Sequence, residues 1–367
     1  MPEGNVWIEV RKKDFALNLK TIRSFLKPQT KILAVVKQNA YGHGLCPTAE
    51  ILEKEGIDFL GVNNPREAFS LRQAKIRLPI LILSNILDYS CFPQLIRQKI
   101  RISLMDRRAL RALDKAAAGA GKKAYVHIKV DTGMNRLGVR YEEAQQFIRE
   151  VRRFKNIFIE GIFSHLSCAE NNRAYTLHQI KLFRKALSLL QREGIKVPLV
   201  HIANSAAILK FPEAEFNMVR AGIVIYGENP TRIPLRLYPP LTLKAKVLLV
   251  KQVPAGSCIS YGCSFRTRRP TKIGVVGIGY ALGFRRDLSG RSFVLIGGKK
   301  RRVLGKVCMD HIVVDLGNDK VKAGDEAVII GKQKNKVISA SYLAKKSSTI
   351  SYEIFTSLPS SLPRFYY

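Results

Sequence analysis

Eight short apolar runs recur through the first 225 residues, and their spacing constrains the fold more than any other feature of the chain. They cover 32–36, 57–62, 79–83, 100–104, 125–130, 157–163, 198–202 and 217–225. Segments with helical spacing lie between them, as at 66–74, 107–118 and 173–192, and another precedes the first run at 14–26. In the longest, Leu177, Ile180, Phe183, Leu187 and Leu190 fall on one face. Strand and helix alternating in this way call for parallel strands joined by crossover helices. Eight such units in this length fit an α/β fold of the (β/α)8 TIM-type barrel class. A doubly wound open sheet is the alternative, but no run leads into G-x-G-x-x-G.

The pattern changes after about residue 235. A proline-rich stretch at 235–240 is followed by alternating or apolar runs at 241–253, 272–279, 293–296, 303–307, 311–316 and 326–330. Glycine and charged turns separate them, and helical spacing returns only at 339–346, so this part reads as a mostly β C-terminal domain. The expected division is a barrel over 11–235 and a β-domain over 236–367. Residues 1–10, with Trp7-Ile8-Glu9-Val10, form a candidate extra strand of the second domain.

Lysine and arginine number 62 against 28 acids, a formal net charge of +34. That balance suits an anionic partner. The basic residues are spread out, however, and no aromatic residues alternate with short clusters such as Lys299-Lys300-Arg301-Arg302 as stacking platforms would. A solvated basic surface without specific nucleic-acid binding is the expectation. No run is long enough to span a membrane, and Met1-Pro2-Glu3-Gly4-Asn5 lacks the basic and apolar regions of a signal peptide. The six cysteines are scattered, with no C-x-x-C pair. They read as reduced thiols in a cytoplasmic protein, with no metal site.

Barrel chemistry gathers where strands end at the C-terminal face. Lys37 closes the run Ile32-Leu33-Ala34-Val35-Val36, where a buried ammonium is costly. Desolvation lowers a lysine's pKa and frees its lone pair to attack a carbonyl, so Lys37 reads either as a Schiff-base lysine or as a strand-end lysine reaching water. Other polar residues lie at equivalent ends: Tyr41 after the first run, Lys129, Asp131 and Arg136 after the fifth, His165 after the sixth, Asn204 and Ser205 after the seventh, and Arg220, Gly222 and Tyr226 on or after the eighth. Ser205 opens a short helix and either faces an anion or serves as a plain N-cap. An imine-forming lysine beside a phosphate site points to pyridoxal 5'-phosphate.

Ala34-Val35-Val36-Lys37-Gln38-Asn39-Ala40-Tyr41-Gly42-His43-Gly44 resembles the cofactor-lysine signature of the alanine racemases. Further matches follow in order: Lys129-Val130-Asp131-Thr132-Gly133-Met134-Asn135-Arg136-Leu137-Gly138, His201-Ile202-Ala203-Asn204-Ser205, Arg220-Ala221-Gly222-Ile223-Val224-Ile225-Tyr226-Gly227, Ile259-Ser260-Tyr261-Gly262 and Gly305-Lys306-Val307-Cys308-Met309-Asp310. The resemblance covers both domains. It implies a pyridoxal-phosphate enzyme that interconverts L- and D-alanine and supplies D-alanine for peptidoglycan, working as a head-to-tail homodimer with active sites shared between chains. Lys37 would carry the cofactor and act as one base. Tyr261, from the partner chain, would be the base on the opposite face. His165 matches the histidine that contacts this tyrosine, and Arg220 the arginine facing the pyridine nitrogen. Tyr41, Asn204, Ser205, Gly222, Ile223 and Tyr226 would bind the phosphate or its surroundings. Arg136 and the Met309 backbone would hold the substrate carboxylate. Lys129 matches a lysine that is carbamylated in some members, and otherwise reads as an ordinary strand lysine.

The chain departs from the family pattern in places. Tyr280-Ala281-Leu282-Gly283 replaces Y-A-D-G, Ser361-Leu362-Pro363-Arg364 replaces R-V-P-R, and Ser360 stands where some members have a phosphate-contacting tyrosine. A racemase of broader range, accepting serine for example, and a non-catalytic pyridoxal-phosphate carrier are the alternatives. The β-domain bearing Tyr261 and Met309 weighs against the carrier.

Overall fold

The computed structural model describes residues 4–367. The signal-peptide reading rests partly on residues 1–3, which lie outside them. The chain divides into two compact units: residues 15–40 with 45–237, and the N-terminal segment to Asp14 with 41–44 and 238–367.

The first unit is a barrel, as the alternation predicts. Its strands, first to eighth, are Lys31–Val35, Phe59–Val62, Ile80–Ile82, Ile100–Leu104, Ala124–Asp131, Ile157–Phe163, Leu199–His201 and Met218–Ala221. Neighbours from the first to the seventh pair in parallel, and the eighth pairs in parallel with the first, with Met218 opposite Lys31. The seam between the seventh and eighth is closed differently. Arg220 N donates to Ala203 O at 3.0 Å. Asn217 accepts from Val200 N and donates to Pro198 O, both at 2.7 Å, while its own carbonyl accepts from Lys31 N at 3.0 Å. One residue thus ties three strands at the open edge.

Two readings shift. The eighth strand stops at Ala221 instead of running to 225, because Gly222 adopts φ −113°, ψ −107° and Ile223–Tyr226 closes into a 3-10 turn. The long helix Arg173–Arg192 is rotated slightly from its leucine stripe: Thr176, Gln179 and Ala186 are buried with Ile180, Phe183 and Leu190, while Leu177 and Leu187 sit at the margin. Gln179 is drawn inward because the loop after the sixth strand needs it. Its side chain accepts from Ser167 N at 2.9 Å and donates to His165 O at 3.3 Å.

The second unit is a sheet of nine strands: Val6–Val10, Leu241–Val253, Thr271–Val276, Phe293–Ile296, Lys299–Leu304, Ile312–Asp315, Glu326–Gln333, Lys336–Ile338 and Arg364–Tyr366. Val6–Val10 pairs antiparallel with Leu241–Val253 and parallel with Arg364–Tyr366. The last pairing had no sequence signal, being three residues at the end of the chain. Lys299-Lys300-Arg301-Arg302, expected on the surface, belongs to a strand in which Arg301 is buried. Arg301 donates to Leu316 O at 2.8 Å and pairs with Asp319, which is what makes its burial tolerable.

The reduced-thiol expectation fails at one place: Cys258 and Cys263 form a disulfide, with Cα atoms 4.8 Å apart. A five-residue spacing carried no signal, and a hairpin brings the two together. The other four cysteines are free. Among the described residues, no helix is long and apolar enough to cross a membrane.

Replacing Asn217 with Ala removes two of the seam's hydrogen bonds. We expect a loss of about 1–2 kcal/mol of stability in urea unfolding, since an exposed hydrogen bond contributes roughly 1 kcal/mol net.

Candidate active site

The first barrel strand ends at Val35, and Lys37 opens an unusual turn. Gln38, Asn39 and Ala40 are left-handed, with φ/ψ near 54°/57°, 54°/43° and 51°/52°, and Tyr41 follows at φ 51°. Left-handed backbone without glycine costs about 1–2 kcal/mol per residue, so neighbours must hold it. Gln38 N donates to Glu67 Oε1 at 2.6 Å, and Leu45 N to Asn39 Oδ1 at 2.8 Å. Glu67 is itself fixed by Asn63 N at 2.8 Å. Lys37 is half-buried, and desolvation lowers its pKa. The Arg136 guanidinium adds to that, and Glu67 opposes it.

Residues 41–44 belong to the other unit, where the C-terminal strand grips them. Arg364 Nε donates to Gly42 O and Tyr366 Oη to His43 O, both at 2.9 Å. Tyr41 is buried beside the Tyr352 ring, and burial pushes its phenol pKa up.

Cations gather at the C-terminal ends of the barrel strands. Lys129 Nζ donates to Leu83 O at 3.2 Å and lies 5.4 Å from the centre of the Phe163 ring. Burial lowers its pKa to about 8, with Arg220, Arg136 and Lys37 pushing the same way. Arg136 sits on an exposed loop that the Asp131 carboxylate organises, accepting from the amides of Gly133, Met134, Asn135 and Arg136 at 2.8–3.2 Å.

Arg220 is the buried centre of the group. Nη2 donates to Ser164 O at 2.7 Å, to Ile202 O at 3.0 Å and to His165 Nδ1 at 3.2 Å. Nη1 donates to His201 O at 3.2 Å and to His201 Nδ1 at 2.9 Å. Burial lowers its pKa to about 9, which still leaves it cationic at neutral pH. An arginine can only donate, so Nδ1 of both histidines accepts and each ring proton is on Nε2. His201 Nε2 then donates to His127 Nδ1 at 2.9 Å, and His127 Nε2 to Glu160 at 3.1 Å. Glu160 is also paired with Arg101 at 3.0 Å, and its pKa falls to about 2: burial raises it, but the bonds from His127 and Arg101 outweigh that. One directed chain therefore runs Arg220–His201–His127–Glu160 through the barrel, and Glu160 accepts from Arg101 at its end. Desolvation keeps the pKa of His127 low and that of His201 well below the usual value. His165 is held well below it too, by desolvation and by the surrounding Arg220, Arg136, Lys129 and Lys37.

Asn204, not Ser205, caps the short helix Ser205–Lys210, accepting from Ala207 N at 3.0 Å. The buried Ser205 Oγ accepts instead from Gly222 N at 2.9 Å and Val224 N at 3.4 Å. Tyr226 is fully buried, edge-on to Phe15, and donates to Val35 O at 2.9 Å. In the other unit, Tyr261 stands at the tip of a hairpin, 69% exposed, and Met309 is 55% exposed.

Residues 10–230 match the family model "Alanine racemase, N-terminal domain", and residues 240–366 match "Alanine racemase, C-terminal domain". The chain belongs to the alanine racemase family. An alanine racemase of Halothermothrix orenii is 38% identical over 98% of this chain and 96% of its own length, and one of Methanococcus maripaludis is 37% identical over 98% of each. Among solved structures, an alanine racemase of Clostridium difficile superposes with a TM-score of 0.95 at 36% identity, covering 100% of this chain and 97% of its own. The Bacillus anthracis alanine racemase with bound L-Ala-P does so at 0.93 and 34%, covering 100% and 96%. The racemase identity thus stands on the whole chain, and the enzyme is an isomerase that interconverts L- and D-alanine.

The structure brings Arg136 close enough to lower the pKa of Lys37, Lys129 and His165, and Arg220 close enough to lower that of Lys129 and His165, and it places Asn204, Ser205, Gly222, Ile223 and Tyr226 on adjoining turns. Sequence reasoning missed Glu67, His127, Glu160 and Gln179. Only His127 left a trace, two residues before Lys129 and so on the same strand face.

In this racemase, His127 and His201 should stay neutral in the fold. Ring 15N resonances are expected to keep the Nε2–H pattern through about pH 6.5, where an unperturbed histidine is half protonated.

Proposed function

We propose that this racemase works with two bases, Lys37 and a Tyr261 supplied by a second copy of the chain, around pyridoxal phosphate held in the barrel. The observation that carries the reading is the place of Lys37, half-buried just past the end of the first barrel strand on a left-handed turn held by Glu67, where burial and Arg136 lower its pKa. Alanine racemases depend on pyridoxal phosphate, and the donor set here fits it. Ser205 Oγ has its lone pairs engaged by two amides, leaving its O–H to donate to a phosphate. Gly222, Ile223, Asn204, Tyr41 and Tyr226 would complete that end. Arg220 stays charged and gives up no proton, so a pyridine nitrogen facing it remains unprotonated. Once bound, the cofactor supplies an aldehyde for amines and a ring that withdraws electrons released at the α-carbon.

Inversion needs a proton to leave one side and return on the other. The Lys37 amine, neutral more readily than a free lysine, takes one side. For the other, His165 Nδ1 is occupied by Arg220, so its Nε2–H is left to donate to the Tyr261 oxygen and support the phenolate. Arg136 and the Met309 amide would hold the carboxylate of alanine. The exposure of Tyr261 and Met309 within one chain supports a head-to-tail homodimer with shared sites. We place the enzyme in the cytoplasm, supplying D-alanine for peptidoglycan.

Lys129 suits carbamylation. A pKa of about 8 leaves about half of its amine free at pH 8 and roughly a tenth at pH 7. Reaction with CO2 gives a carbamate and one proton, placing a negative charge beside Arg136 and Arg220. Protonation prevents the reaction, so modification is lost as pH falls below about 8. A mass gain of one CO2 and a 13C carbamate signal in 13C-bicarbonate are expected in the wild type and absent from Lys129→Ala.

Lys37→Ala, purified with added pyridoxal phosphate, should lose the visible absorbance of the cofactor–lysine adduct. It should also lose racemisation by roughly 10³-fold or more, in keeping with removal of a nucleophile and a base together. A coloured, active Lys37→Ala protein would refute the assignment.

A further inference from the structure

We propose that the Cys258–Cys263 disulfide positions Tyr261 for proton transfer, and that its reduction by a dithiol slows racemisation. The proposal rests on the reading of Tyr261 as a base. Tyr261 belongs to a hairpin in the second unit. Gly256 N donates to Thr267 O at 2.7 Å, Thr267 N to Ser257 O at 3.0 Å and Ile259 N to Phe265 O at 2.9 Å, with Cys258 bridged to Arg266. Beyond Ile259 the ladder ends, and the tip turns left-handed at Ser260 (φ 64°, ψ −170°), Gly262 (φ 68°, ψ 16°) and Cys263 (φ 46°). Two of these three are not glycine, so the tip is unfavourable unless it is held.

The side preceding Tyr261 is anchored. Ser260 Oγ donates to Lys306 O at 2.6 Å, and Gly305 lies so close to the Ile259 carbonyl that a Cβ there would collide with it. The side following it is tied by the disulfide, which draws Cys263 back to Cys258 and closes a ring with Tyr261 inside it. The Tyr261 side chain is 69% exposed, so packing within the chain does little to fix it. Opening the ring frees Gly262 and Cys263 to leave the left-handed region, and the phenol moves with them.

Cys258 is exposed and open to attack. A dithiol thiolate bonds to one cysteine sulfur and displaces the other as a thiolate. The second thiol of the reagent then closes onto the first, releasing the remaining cysteine. The reagent is oxidised to its cyclic disulfide, and the protein gains two thiols.

The test compares holoenzyme before and after dithiothreitol. Four thiols are expected to titrate in the denatured untreated protein and six after reduction. Reduction should lower kcat about 10-fold, within the roughly 10²-fold that a 1 Å misplacement can cost, and leave KM and cofactor absorbance within about twofold. It should also raise the α-deuterium isotope effect and displace the pH profile of kcat/KM, which a purely structural crosslink would leave alone. The Cys258→Ala/Cys263→Ala double variant should match the reduced enzyme and ignore dithiothreitol. Cys91→Ala should respond like the wild type. Six thiols in the untreated protein, or unchanged kcat, isotope effect and pH profile on reduction while Tyr261→Phe is inactive, would overturn the proposal. Full activity in Tyr261→Phe would instead sink the two-base reading beneath it.

Discussion

The structure depends on hiding the charge of Arg220 inside a barrel. A guanidinium taken out of water is expensive unless its donors are matched. Here the carbonyls of Ser164, His201 and Ile202 and two ring nitrogens match them. That arrangement dictates the tautomers of His165 and His201, the position of His127, and a carboxylate at Glu160 to finish the chain. Burial lowers the pKa of both neighbouring lysines; this buried cation and Arg136 lower Lys129 further, and Arg136 lowers Lys37 further. The order of the barrel interior follows from one desolvated arginine.

The second constraint is the turn after Lys37. Several consecutive left-handed residues are unfavourable, and the barrel unit holds them through Glu67 and Asn39. The next four residues are gripped in the other unit by Arg364 and Tyr366. The departures from the family's usual C-terminus therefore bear on how residues 41–44 are held. Arg364 opens the strand that does this, and it also donates to the Pro359, Ser360 and Leu362 carbonyls.

Much of this was legible in the sequence. Eight apolar runs marked the barrel, seven of them to within a residue or two and the eighth overrunning its strand by four, because buried parallel strands must be apolar on both faces. Lys37, His165, Ser205 and Arg220 stood out as polar residues where such strands end. The remainder was illegible for physical reasons. Gln179 interrupts a leucine stripe, and periodicity gives no sign that a loop will require its amide. Glu160 looks like a surface acid until His127 and Arg101 are seen against it. The Cys258–Cys263 pairing depends on a hairpin tip whose backbone no composition rule encodes.

The central claim is that racemisation needs a base on each face, and α-proton exchange in D2O tests it most directly. In the wild type, each enantiomer of alanine should give the other with deuterium at the α-carbon. Tyr261→Phe should keep exchanging the α-proton of one enantiomer, through Lys37, while producing almost none of its mirror image. Loss of exchange from both enantiomers together, or inversion at the wild-type rate, would contradict the account.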